Sequence, residues 1–409
     1  MAMGLSTFRS SWASLVIAVG AAATFAASSA CAQTSVAPLK IGVLTDLSGP
    51  YADSGGPGSV LAAEMAVLDF GGSVNGRKIE IVSADTLNKP DVASAAARRW
   101  YENEGVSAIV DLPVTPVAFG VQALAKELNR TVMITAAATS DFTSKACSPQ
   151  STHWADDTHA LAAGTAKELL ANGATSWQFI AVDISFGAAL VKEASDVVIA
   201  GGGTVTGTVR HPVGALDYGS QLLQAQASKA KIIGLASVGG DLVRIIKQSK
   251  EFGIGADGSQ SLVAFLVYIT DINALGLDVA SNLVVTSSFY WNQNDQSRAF
   301  SNRFFEARKA MPTKNQAAVY ASVTHYLKAV AAAGNDDAVA VGQKMRALPV
   351  AYFGRQASVR SDGRLLFDLD VYRVKAKAAQ LAPWDYYELI RTIPAKDAFL
   401  PVNTAVCGG

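Results

Sequence analysis

The stretch LKIGVLTDLSGPYADSGGPG, residues 39–58, decides the fold. Leu39 to Leu44 is a short apolar run with strand character, and Asp46 to Gly58 is polar and rich in glycine. A helical pattern, Gly58 to Phe70, follows at once. A buried strand that passes a glycine-rich loop to a helix opens a βαβ unit, and such a loop sits at the carboxyl edge of a parallel sheet.

The same alternation continues downstream. Lys78 to Ser83, Ala108 to Asp111 and Val132 to Thr135 read as strands, separated by the helical patterns Val92 to Glu104 and Pro116 to Asn129. It resumes with strands at Trp177 to Val182, Thr204 to Arg210 and Ile232 to Ala236. Helices are expected over Leu161 to Asn172, Gly187 to Ala200, Gly219 to Ser228 and Asp241 to Glu251. About 70 residues per three units fits a second doubly wound sheet better than one very large sheet. Past Val284 come a further strand and two helical stretches, Ser297 to Arg308 and Ala317 to Ala333. After Pro349 the character changes, and Arg364 to Val374 reads as an antiparallel hairpin strand.

Upstream, Arg9, the apolar run Leu15 to Ala27 and the small residues Ala30, Cys31 and Ala32 have the layout of a cleaved export signal. The mature chain is expected to begin at Gln33, with lipid attachment at Cys31 as the minor alternative, since Ser28 stands where an aliphatic residue would favour it. Removing the signal leaves about 377 residues, which suits two domains. Basic and acidic side chains balance at 34 each without a basic stripe, so nothing supports a nucleic-acid partner. The mature chain keeps Cys147 and Cys407. In an oxidising compartment they either form one disulfide that ties the tail back, or remain two buried thiols.

In parallel sheets ligands gather where strands end, so the residues after each strand are the site candidates. Behind the first strand lie Asp46, Ser48, Tyr51, Asp53 and Ser54; they contact a ligand or only organise the turn. Thr115 and Pro116 are a helix-start pair, with Thr115 expected as the N-cap, and they aim helix N–H groups at an anion or serve simply as a cap. Ala137, Ala138 and Thr139 form a small-residue edge that could complete a carboxylate clamp. Trp154 is a stacking surface or a packing plug. Phe186 is a candidate to touch an apolar substituent, and Asp271 receives an ammonium or hydroxyl or closes a turn. His153, His159, Asp156 and Asp157 lack a compact zinc motif, so no metal is expected.

These loops give the chain its family likeness. SGPYAD at Ser48 to Asp53, the set Cys147, His153, Trp154, Asp157 and Thr158, FYW at Phe289 to Trp291, DGR at Asp362 to Arg364 and PWDYY at Pro383 to Tyr387 follow in order along the chain. With them the sequence resembles the periplasmic substrate-binding proteins of branched-chain-amino-acid-type ABC transporters. The resemblance implies an α/β type I periplasmic binding fold, two doubly wound parallel-sheet lobes joined by three crossings. On that pattern the first lobe holds 33–153 with 288–360 and the second 154–287 with 361–409, the side taken by the tail being left open. It also implies a monomer in the periplasm that captures a small carboxylate-bearing solute and delivers it to a transmembrane permease, with no cofactor and no catalysis. Thr115 matches a ligand-facing serine of the family, and Ala137 to Thr139 match the stretch that holds an α-carboxylate. Ile184 replaces a common tyrosine, and Asp271 lacks the surroundings of the family's amino-group acceptor, so an organic acid, aromatic or not, is as well supported as an amino acid. A sensory binding component is the alternative. For an enzyme, neither GxSxG nor HExxH is present, and Gly253, Gly255 and Gly258 follow a helix instead of a strand.

Overall fold

The computed structural model describes residues 37–255 and 258–407. The export signal read at residues 1–32, with Cys31, lies outside them. The first sheet contains β1 (Leu39–Thr45), β2 (Ser73–Val74), β3 (Arg77–Asp85), β4 (Val106–Asp111), β5 (Thr131–Ile134) and β6 (Ser151–His153). Their order is β2-β3-β1-β4-β5-β6, parallel except for the short β2–β3 pair. The central strands β4 and β5 are buried along their whole length, as expected where helices cover both faces.

The second sheet contains β7 (Ser176–Val182), β8 (Thr204–His211), β9 (Ile232–Ala236) and β10 (Ser261–Ala264). Its order is β10-β9-β7-β8, all parallel. In the first sheet the winding reverses between β1 and β4, and in the second between β7 and β9. The loops leaving these four strands therefore border the crevices in which doubly wound folds hold ligands.

Three smaller features complete the chain. β11 (Val284–Ser287) precedes a minor sheet of β12 (Val350–Tyr352), β13 (Arg355–Val359) and β14 (Leu365–Leu366), and then come β15 (Leu369–Val374) and β16 (Tyr387–Ile393). β11, β15 and β16 form an antiparallel sheet that separates two cores. One face sends Val284, Leu369, Val371 and Ile393 into the first core, and the other sends Val285, Tyr372, Val374 and Tyr387 into the second. The run Arg364 to Val374, expected as one hairpin strand, is split between two sheets because the chain crosses at Phe367–Asp368. The other crossings are Trp154–Asp157, leading to the helix Thr158–Ala171, and Ser288–Asn294, leading to the helix Asp295–Arg308.

The tail returns to the first core. Phe399 packs edge-on against Phe367 at 5.3 Å, and Cys407 is bonded to Cys147 across 260 residues of sequence, with Cα atoms 5.8 Å apart. Among the described residues, no helix is long and apolar enough to cross a membrane, and no group of three or more His, Cys, Asp or Glu could hold a metal ion.

Candidate binding cleft

The loop after β1 is fixed by its own polar groups. The Asp46 carboxylate accepts from Gly49 N (2.6 Å), Tyr51 N (2.9 Å) and Asn88 Nδ2 (2.8 Å), and Ser48 Oγ donates to Asp85 (2.8 Å). Both side chains are occupied in shaping the turn, which sets Tyr51 into the cleft wall. Burial, with Asp241 and Asp46 nearby, pushes the Tyr51 phenol up, so it keeps its proton. Across the cleft, Gly239 (φ 62°) comes so close that a Cβ there would lie 2.9 Å from Pro50 O and 3.3 Å from the Tyr51 ring. The rims contributed by the two sheets therefore touch. Asp53, expected as a contact, is exposed and does not line the cleft.

The loop after β4 contains the sharpest backbone feature. Asp111 and Leu112 both have positive φ, 91° and 67°, and both are fully buried. Strain of this kind at non-glycine residues is held in place by surrounding structure and is concentrated at ligand sites. The bend directs the helix Thr115–Glu127 with its N-terminus at the cleft. Val114, not Thr115, is the N-cap residue, and it gives no side-chain cap; Thr115 is the first helical residue and Pro116 the second. Ala118 N reaches Val114 O at 2.9 Å, whereas the N–H groups of Thr115 and Val117 precede any carbonyl available within the helix. The Thr115 hydroxyl, freed from capping, has no hydrogen-bond partner among the described residues.

The segment after β5 alternates in direction. Ala136 and Ala138 face the cleft, while Ala137 points its carbonyl to His153 Nε2 (2.8 Å) and packs in the core. Thr139, the expected anion donor, is buried away from the cleft lining, and its Oγ1 accepts from Asp141 N (3.4 Å) to cap the turn Ser140–Thr143. Trp154 is also corrected. It is fully buried, donates to Thr152 Oγ1 (2.8 Å) and lies 5.8 Å from His325, so it plugs the first crossing. Asp271 sits behind the site, where its Oδ2 accepts from Tyr268 N (2.9 Å) and closes the first turn of the helix Ile269–Leu275. Burial raises its carboxyl to about 7.

From the second sheet, Ile184 and Phe186 follow β7, Val238 follows β9, and Leu266 and Tyr268 follow β10. Asn315, at the start of the helix Lys314–Ala333, closes the crevice. The cavity left between these residues is about 20 Å³. Its walls are apolar and aromatic, with the hydroxyls of Tyr51, Ser54, Thr115 and Tyr268 and the Asn315 amide as the polar groups. Among the described residues, no charged side chain lines it. Of the sequence candidates, Tyr51, Ser54, Thr115, Ala138 and Phe186 are brought together. Tyr268 and Asn315 carried no strand-end signal strong enough to find them: β10 is four residues long, and Asn315 reaches the cleft only through packing of a distant helix.

Residues 38–379 match the periplasmic binding protein family. The chain belongs to that family. Its members are binding proteins of a non-enzymatic kind, named for the periplasm. A curated relative, Leu/Ile/Val-binding protein homolog 6 of Brucella melitensis, is 25% identical over 300 residues, covering 72% of this chain and 74% of the relative. A periplasmic binding protein from Burkholderia mallei is 42% identical with a TM-score of 0.88, covering 90% of this chain and 98% of its own. A branched-chain amino acid ABC transporter periplasmic ligand-binding protein from Burkholderia xenovorans is 35% identical with a TM-score of 0.79, covering 89% and 97%. Solute-binding proteins of R. palustris solved with benzoate and with 4-hydroxybenzoate, at 18% and 21% identity and TM-scores of 0.78 and 0.79, share the fold; they cover 88% of this chain and 97% of their own. The fold is thus the type I periplasmic binding fold, two parallel-sheet lobes joined by three crossings.

Proposed function

We propose that the protein captures a small carboxylate-bearing solute, an amino acid or an organic acid, between its lobes in the periplasm. As a monomer it then presents the solute to the permease of an ABC importer. The observation that carries this reading is the N-terminus of the helix Thr115–Glu127, which opens with a free hydroxyl into a cleft lined by no charged side chain among the described residues. Helix N–H groups and a hydroxyl hold a carboxylate without a cationic partner, and the low polarity of the walls strengthens each bond. The R. palustris complexes, whose ligands are small aromatic carboxylates, support the same class of solute.

In this reading the first lobe comprises 37–153, 288–366 and the tail 394–407, and the second comprises 154–287 with the β15–β16 hairpin. Closure brings Tyr51 and Thr115 from the first lobe against Phe186 and Tyr268 from the second. Calorimetric titration of ligand-stripped protein with small carboxylic acids and amino acids tests the assignment. Saturable binding of a carboxylate, weakened about tenfold by Thr115→Val, is expected, since one hydrogen bond to a charged group is worth about 1.5 kcal/mol. Binding that is indifferent to Thr115→Val, or failure of every acid to bind, would count against it.

A further inference from the structure

Two groups in the cleft form a recognition unit that the carboxylate end does not use. Asn315 Nδ2 donates to the Tyr268 hydroxyl oxygen at 2.9 Å, and both residues line the cleft. Because that oxygen is already an acceptor, the Tyr268 hydrogen remains to be donated. The Asn315 carbonyl has no partner among the described residues and remains to accept. A donor and an acceptor side by side complement a hydroxyl, which needs both. Burial pushes the Tyr268 phenol up, so it stays protonated and keeps its donor role.

The unit is held rigidly. Thr313 Oγ1 donates to Ser54 O (2.6 Å), and Gln316 Nε2 donates to Gly55 O (2.9 Å). Between them Lys314, almost wholly buried, donates to Thr286 O (3.1 Å), pairs with Asp156 (3.0 Å) and stands 5.7 Å from the centre of the Tyr268 ring. The side chains of Thr313, Lys314 and Gln316 thus lock Asn315 between the cleft loop, β11 and the first crossing. A site with prepositioned polar partners discriminates strongly against a ligand that leaves them unpaired.

The same surroundings are hostile to an ammonium. Among the described residues, no carboxylate lines the cleft: Asp53 is exposed outside it, Asp183 pairs with Arg210 at 3.1 Å on the surface, and Asp271 accepts from the Tyr268 N–H instead of lining it. A buried cation, Lys314, already lies against Tyr268. A ligand ammonium enclosed here would be desolvated without a counter-charge, which is expensive.

We propose that the cleft selects a carboxylate that bears a hydroxyl at its far end, read by Tyr268 and Asn315, and rejects α-amino acids. This rests on the carboxylate reading of the Thr115 end and deepens it. The test is calorimetry on ligand-stripped protein with matched probes: benzoate against 4-hydroxybenzoate, and 3-phenylpropanoate against phenylalanine. The hydroxyl should tighten binding about tenfold, and Tyr268→Phe should abolish that difference between the two benzoates. The amino group should weaken binding about a hundredfold or more. Asn315→Asp, nearly isosteric, supplies a second variant; it should lose the preference for the hydroxyl and gain tolerance of phenylalanine.

If acids bind but the hydroxyl preference is absent, or survives Tyr268→Phe, the selection is wrong while the carboxylate reading stands. Phenylalanine binding as well as 3-phenylpropanoate would overturn it equally. If no acid binds at all, the carboxylate reading fails and takes this inference with it.

Discussion

Glu193, on the helix Ser185–Ala200, accepts from Ser140 Oγ of the turn after β5 and so joins the second sheet's layer to the first. Burial, with Asp157 and Asp141 close by, raises its carboxyl to about 7. The native state therefore retains a proton that the unfolded chain releases from about pH 4.5 upward, and stability falls as pH rises between those values. Glu193→Gln removes the ionisation. The variant is expected to be more stable than the parent at pH 8, by on the order of 3 kcal/mol, and to show a flatter stability curve from pH 5 to 8 in urea denaturation. An unchanged pH dependence would contradict this. Strand-end position was enough to find Tyr51, Thr115 and Phe186 in the sequence, because a residue just past a parallel strand starts at the crevice. It could not find which way a side chain turns there. Thr139 and Ala137 stand beside Ala138 and face elsewhere, and Asp271 is drawn behind the wall by the Tyr268 amide.

Among the elements, the repeated strand–helix alternation was legible because β1, β4, β5, β7 and β9 are buried apolar runs bounded by turn residues. β6, β10 and the β12–β13 hairpin have three to five residues each, too few to display a period against their surroundings. The helix Ala338–Ala347 was also missed. The cysteine count pointed to the link between Cys147 and Cys407, whose role is to tie the tail that carries Phe399 onto the first core. Closing so long a loop restrains the unfolded chain by about 5 kcal/mol in the entropy model, an upper figure. Replacing both cysteines by serine should lower the unfolding midpoint in guanidinium and free the tail to proteolysis. A midpoint equal to the parent's would show that the link adds nothing to packing.

The molecule as a whole is two sheets whose reversals of winding face one another, with buried polar groups where the chain crosses between them. Arg364 is fully buried and bonds His153 Nδ1 (3.0 Å), Leu365 O (2.9 Å) and Ala155 O, joining the first crossing to the third. Lys314 and Asp156 join the first to the second, since Asp156 also accepts from Ser288 N (3.1 Å). Removing one partner of such a pair would strand a buried charge, so these networks are costly to break. Two lobes were legible from chain length and from the restart of the pattern at Trp177; the route of the tail was not, because it depends on contacts hundreds of residues apart. The most direct measurement is a crystal structure of the protein with a bound small carboxylic acid. Its carboxylate oxygens are expected within 3.2 Å of Thr115 Oγ1 and of the first helical N–H groups, the usual hydrogen-bond range. An acid bound with its carboxylate turned away from Thr115, or bound outside the cleft, would contradict the central claim.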